Sequence, residues 1–138
     1  MKIFKDCMVG IVVISHSNKI ANGVVDLAKQ MADEVKIIPA GGTKDNLIGT
    51  DIDLIIDAIN KAWDPNDGVI LLFDLGSALM NAQMAIEMLE PDKQNKIKII
   101  DAALVEGTIL AAINSSMNKN IDQIQQELIN LKLNKIEE

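Results

Sequence analysis

His16 is the single histidine of the chain. It directly follows the apolar run Val9-Gly10-Ile11-Val12-Val13-Ile14-Ser15 and stands just ahead of a helical pattern. Imidazole is nucleophilic near neutral pH and changes charge there. Where a strand passes into a helix, backbone N–H groups also attract anions. Together these point to a phosphoryl group carried on a ring nitrogen. The attacking nitrogen must be neutral, with its lone pair free. A carboxylate on the other nitrogen would hold the tautomer and stabilise the positive ring. Asp74, closing the apolar run Val69-Ile70-Leu71-Leu72-Phe73, is the acid placed to do so. The phosphoryl oxygens need donors rather than a metal. Gly76 and Ser77 offer backbone N–H groups at a helix start, and Ser77 adds its hydroxyl. Gly42 and Thr43 are placed to close the other side, with Ser17 beside the ring. Each piece has an ordinary structural reading: a surface histidine, a turn aspartate, a Gly-Ser cap, a Gly-Gly turn. Their meeting on one rim is what carries weight.

That meeting depends on the elements around them, and strand and helix signals take turns along the chain. Ile20, Val24, Leu27 and Met31 fall at helical spacing on one face. Val35-Lys36-Ile37-Ile38 reads as a short strand closed by Pro39, and Gly41-Gly42-Thr43 as a loop. Thr50 is a plausible N-cap with Asp53 three residues on. Ile52, Ile55, Ile56, Ile59 and Trp63 predict the inner face of a second helix. Residues 64–68 are a turn punctuated by Pro65 and Gly68. Val69–Phe73 is apolar on both faces, as a central parallel strand should be. Ser77 can cap the next helix. The stripe Met80, Met84, Met88 in that helix reads as core filler, and Pro91 ends it. Ile97-Lys98-Ile99-Ile100 is a fourth strand, left through Asp101-Ala102-Ala103. Val105 to Met117 reads as a helix. Ile121, Ile124, Leu128 and Leu131 define a last amphipathic helix that tapers into a charged tail.

Strands separated by helices imply parallel strands, so the expected fold is α/β. The expectation is a doubly wound, mostly parallel sheet of about four strands in the order 2-1-3-4, with helices on both faces. Ligands in such folds sit beyond the carboxyl ends of the strands. One rim then gathers His16, the Gly42 loop, the Asp74–Ser77 segment and Asp101. Residues 1–7 read as an extension, with Met8 an equally plausible start, and 8–138 as a single domain.

Composition mainly excludes. The 138 residues suit one core, and 49% are hydrophobic. Only 2% are aromatic, so aliphatic residues and Met must fill that core. A net charge of −7 argues against nucleic acid and against anionic membranes. One Cys and one His give no metal-ligand set, and Cys7 cannot form an internal disulfide. No apolar run approaches the length of a membrane span and no signal-cleavage pattern follows the first residues. A cytoplasmic location is expected.

Four ordered segments carry a resemblance that covers nearly everything from Met8 to the last helix. They are residues 10–17 (GIVVISHS), Gly41-Gly42-Thr43 with Ile48-Gly49-Thr50, Asp74-Leu75-Gly76-Ser77-Ala78 with Asn81, and Leu104-Val105-Glu106-Gly107. Together they resemble the phosphocarrier subunits of PEP-dependent dihydroxyacetone kinases, within the mannose-type enzyme IIA group of the phosphotransferase system. The resemblance implies that His16 takes a phosphoryl group from phospho-HPr on Nε2. It implies transfer to ADP held by a nucleotide-binding partner subunit, so that this chain binds no cofactor itself. It also implies a homodimer. Sugar-transporter domains of the mannose type usually carry Gly-Gly-Ser-Pro after the central strand. Leu75-Gly76-Ser77-Ala78 stands there instead, which favours the kinase subunit over the transporter. Ala103 stands where the family often has Pro, and Gln83 where it often has Glu. A phosphoacceptor receiver domain would need an acid pair where Ser15-His16 stands. A non-catalytic interaction module would require His16 to be buried or remote from Asp74 and Ser77.

Overall fold

The computed structural model describes residues 8–136. Four parallel strands form one sheet in the order β2-β1-β3-β4, as the sequence predicts. These are β1 (Gly10–Ser15), β2 (Ile37–Gly41), β3 (Val69–Phe73) and β4 (Ile97–Ile99). Helices α1 (Asn18–Lys29), α2 (Ile52–Ala62), α3 (Ala78–Glu87), α4 (Pro91–Gln94), α5 (Leu104–Ser116) and α6 (Ile121–Glu127) connect or follow them. A 3₁₀ turn at Ile129–Leu131 leads into the tail. The proposed extension, residues 1–7 with Cys7, lies outside the described residues.

The central strands are buried on both faces because alternate side chains feed two cores. Ile11, Val13, Ile70 and Leu72 join α1, α5 and α6 on one side. Val12, Ile14, Leu71 and Phe73 join α2 and α3 on the other. Gly10 shows how tightly β1 is covered. A Cβ there would lie 2.0 Å from the Ala62 carbonyl oxygen, so only glycine fits beneath the end of α2.

Several local expectations are corrected. Pro39 does not close β2 but lies inside it, paired in register with Val13. Lys36 O and Gly42 N bond to β1, so even-numbered residues face the sheet and Pro39 faces the open edge. Edge strands tolerate proline there. Asp51, not Thr50, caps α2, accepting from the N–H groups of Asp53 and Leu54. Pro91 opens α4 rather than ending α3, whose cap is Met88. The last helix stops at Glu127, and Leu131 belongs to the 3₁₀ turn.

The largest correction concerns which helix faces are inner. Met80, Met84 and Met88 are exposed, with Met80 69% accessible, so they are not core filler. Ile20, Leu27 and Met31 of the first helical stripe are exposed as well. Beneath α1 lie Ala21, Val24, Val25 and Ala28, and beneath α3 lie Ala78, Ala82 and Ala85. Alanine lets helices sit close to the sheet, so the large apolar residues are pushed to the outside.

Candidate functional site

Each strand delivers its following loop to one rim, as the carboxyl ends of parallel strands must. Ile14 of β1 pairs in register with Phe73 of β3. The residues just beyond them, His16 and Asp74, therefore meet. His16 Nδ1 lies 2.9 Å from Asp74 Oδ1. The backbone N–H of His16 donates to Asp74 Oδ2 at 2.9 Å. Ser15 Oγ donates to the same oxygen at 2.8 Å, and Leu75 N–H donates to Oδ1 at 2.6 Å.

This carboxylate is thus fixed by four donors. Partial burial alone would raise its pKa, but the bonds from the His16 N–H, the His16 ring, the Ser15 hydroxyl and the Leu75 N–H outweigh that effect. The net result is a pKa held below the usual 3.8. Asp74 is ionised at neutral pH and is an acceptor only. Nδ1 of the neutral ring must therefore carry the hydrogen, which leaves the lone pair on Nε2. Ser77 Oγ lies 2.8 Å from Nε2, and the hydroxyl must be the donor. The sequence marks Ser77 as a helix cap. In the structure its side chain makes no capping bond and turns to the imidazole instead.

The His16 side chain keeps 20% of its accessibility. The ring is steadied from behind and reachable from outside. The arrangement suits nucleophilic attack by Nε2 with no proton lost from that atom. The N–H groups of Gly76 and Ser77 make no hydrogen bond within the described residues, so they remain available to an anion. A cleft of about 380 Å³ is lined by residues such as Asn66, Lys96 and Asn120 at the opposite end of the strands.

Three expected residues serve the loop frame instead. Ser17 Oγ accepts from Ile20 N–H as the cap of α1, and Ser17 N–H donates to Ser15 Oγ. Gly42 adopts φ 72° and donates its N–H to Ser15 O. Thr43 N–H is taken by Leu47 O, and Thr43 Oγ1 accepts from Leu47 N–H. Among the described residues, no hydrogen bond joins Gly42 or Thr43 to His16, Asp74 or Ser77. Their loop reaches the site through Gly49, whose N–H donates to His16 O at 2.8 Å. Asn81 of α3 donates to Thr50 Oγ1 at 2.7 Å and ties that loop to the helix that carries Ser77. Asp101 is not a site acid either. It is buried and accepts from the N–H groups of Leu133, Lys135 and Ile136.

Two residues beside the site escape sequence reasoning. Ser15 is fully buried and links Asp74 to the start of α1. Its polarity at the end of an apolar strand was the available signal. Lys135 comes from the tail and bonds the backbone of Phe73 and Asp74. Nothing local distinguishes it from other tail lysines.

Comparisons with known proteins show the family and the fold. The EIIA-man family model, described as PTS system fructose IIA component, matches residues 10–125. The chain is 39% identical over 125 residues to the phosphoryl donor subunit DhaM of PEP-dependent dihydroxyacetone kinase 2 from Listeria innocua. That match covers 90% of this chain and 99% of the relative. It is 40% identical over 121 residues to the DhaM phosphoryl donor subunit from Escherichia coli, covering 85% of this chain. The chain spans only 25% of that longer relative. A solved structure of a protein of unknown function, EF1359, is similar at a TM-score of 0.80 and 37% identity, covering 90% of this chain and 95% of that one. The mannose/sorbose specific IIA subunit from Enterococcus faecalis is similar in fold alone, at a TM-score of 0.54 and 14% identity, covering 96% and 95% of the two chains.

Proposed function

This chain belongs to the EIIA-man family of phosphotransferase-system IIA components, and from that premise we propose that it is the phosphoryl donor subunit of a PEP-dependent dihydroxyacetone kinase, carrying the group on His16. The observation that carries the reading is the geometry of the imidazole. Asp74 Oδ1 lies 2.9 Å from Nδ1, and with an ionised Asp74 the hydrogen of a neutral ring sits on Nδ1 and the lone pair on Nε2.

In the forward step, that lone pair attacks the phosphorus of phospho-HPr. The phosphorus–nitrogen bond of the donor histidine breaks, and its electron pair stays on the donor ring. The His16 ring becomes positive, still hydrogen-bonded through Nδ1 to ionised Asp74, which stabilises it. The Ser77 hydroxyl exchanges its bond to Nε2 for one to a phosphoryl oxygen, and the N–H groups of Gly76 and Ser77 donate to the other phosphoryl oxygens. In the second step, the terminal oxygen of ADP, held by the nucleotide-binding subunit, attacks phosphorus. The bond to Nε2 then breaks and the ring recovers its pair. Neither step requires a metal or cofactor on this chain. Ser17, Gly42 and Thr43 act by shaping the loops around the ring rather than by touching the group.

The kinase reading is favoured over a mannose-family sugar transporter. The curated relatives at 39% and 40% identity are named as kinase donor subunits. The sugar-specific IIA subunit shares only the fold. The negative chain charge suits a protein partner with a basic patch over nucleic acid or an anionic membrane, and cytoplasmic work follows from the partners. No helix of the described residues is long and apolar enough to cross a membrane. The homodimer is proposed on the family resemblance, with the exposed apolar residues Ile20 and Leu27 of α1 and Met80 and Met84 of α3 as candidate contact residues.

The test is phosphoryl transfer in a purified system of PEP, enzyme I, HPr and the kinase subunits. The chain should take up label and lose it when the nucleotide-binding subunit with ADP is added. Loss of label only to a transporter protein would favour the sugar-transport reading.

A further inference from the structure

The tail following the last helix folds back beneath the rim. Asp101, just beyond β4, accepts from the N–H groups of Leu133 at 3.2 Å, Lys135 at 2.5 Å and Ile136 at 3.2 Å. This three-point latch aims the Lys135 side chain at the end of β3. Its ammonium donates to Phe73 O at 2.6 Å, Ala102 O at 2.9 Å and Asp74 O at 3.1 Å. It also lies 4.5 Å over the Phe73 ring. Three carbonyl acceptors require three N–H donors on one nitrogen, which only an ammonium provides. The peptide group that it holds is the one that carries Asp74, the residue bonded to the His16 ring.

We infer that Lys135 is a positioning residue for the phosphoryl-transfer site: its ammonium clamps the Phe73–Asp74 backbone and so aims the Asp74 carboxylate at His16 Nδ1. It touches no transferred group and acts through Asp74. The inference rests on the proposed role of His16 for its rate consequence, but not for its structural one. A carbonyl lost from the clamp frees the turn between β3 and α3. Both Asp74 and Ser77 then drift relative to the ring, and misplacements of about an ångström cost transfer rates up to about a hundredfold.

The experiment compares wild type with Lys135→Met, Lys135→Arg and Asp101→Asn. Lys135→Met keeps the stem over Phe73 and removes charge and donors. Two readouts are taken on protein whose melting curve shows that it is folded. The first is the ¹⁵N spectrum of the His16 ring, which reports the Nδ1–H tautomer and its hydrogen bond without any transfer. The second is the rate of label uptake from phospho-HPr. Lys135→Met should weaken the Nδ1–H signature and slow uptake by roughly ten- to a hundredfold. Lys135→Arg keeps the charge but cannot place three donors on one nitrogen, so it should recover only part of both, and Asp101→Asn should resemble Lys135→Met. If Lys135→Met does not fold, the same comparison on Asp101→Asn decides. Wild-type ring signals and wild-type rate in the decisive variant overturn the inference. A wild-type protein that never takes label would sink the proposed function, yet the ring spectrum would still judge the clamp.

Discussion

At the scale of residues, a single carboxylate decides what the histidine can do. Asp74 gathers four donors, and one of them is the ring. Replacing His16 with Ala should abolish labelling while leaving the circular dichroism spectrum and melting curve of a folded protein. Asp74→Asn keeps the shape but removes the charge that stabilises a positive ring. Uptake should fall by about a hundredfold or more, as seen when such an acid becomes an amide, and a stopped-flow quench assay would measure it. Full-rate transfer by this variant would remove Asp74 from the mechanism. The lowered pKa of Asp74 also fixes a sign. Its folded value lies below the unfolded 3.8, so its contribution to stability is complete above that pH. The contribution is lost as pH falls through the folded value. Urea midpoints of wild type and Asp74→Asn should therefore converge in acid and diverge near neutrality. His16, Asp74 and Ser77 were legible in the sequence because each stands just past a strand or at a helix start. Lys135 was not, because its partners are distant in the chain and nothing local marks it, and Ser15 was signalled only by its polarity at the end of an apolar strand.

At the scale of elements, the strands were legible and the helix faces were only partly so. Short β-branched or fully apolar runs identified all four strands, and the expected order 2-1-3-4 is the observed one. Counting large apolar residues misassigned the inner faces of α1 and α3. The close packing there is carried by Ala21, Ala28, Ala78, Ala82 and Ala85, which no hydrophobic stripe of bulky residues reveals. Capping misled for a related reason, since Thr50 and Asp51 are adjacent and both residue types cap well. The difference is measurable. Asp51→Ala should cost about 1 kcal/mol in urea unfolding, whereas Thr50→Ala leaves the cap of α2 intact. Gly10→Ala is the harsher change. Its methyl would meet the Ala62 carbonyl oxygen at 2.0 Å, so α2 must move, and a loss of about 3 kcal/mol or more is expected.

At the scale of the whole molecule, the sheet is a device for delivering four loops to one rim while the tail braces it from below. The fold class was readable from the alternation of strands and helices. The exposure of so many apolar residues was not, because sequence patterns cannot tell a buried stripe from one kept for a second molecule. Met80, Met84 and Met88 illustrate this: exchanging all three for Ser should shift stability by no more than about 0.5 kcal/mol per site. Light scattering of that triple variant and of wild type would show whether the stripe helps hold two copies together.

The most direct measurement is of acid-labile phosphate after incubation with PEP, enzyme I and HPr, located by mass spectrometry under alkaline conditions. One phosphoryl group on the imidazole of His16, at Nε2, is the predicted result. A chain that stays unmodified, or one that carries its phosphate on another residue, contradicts the account.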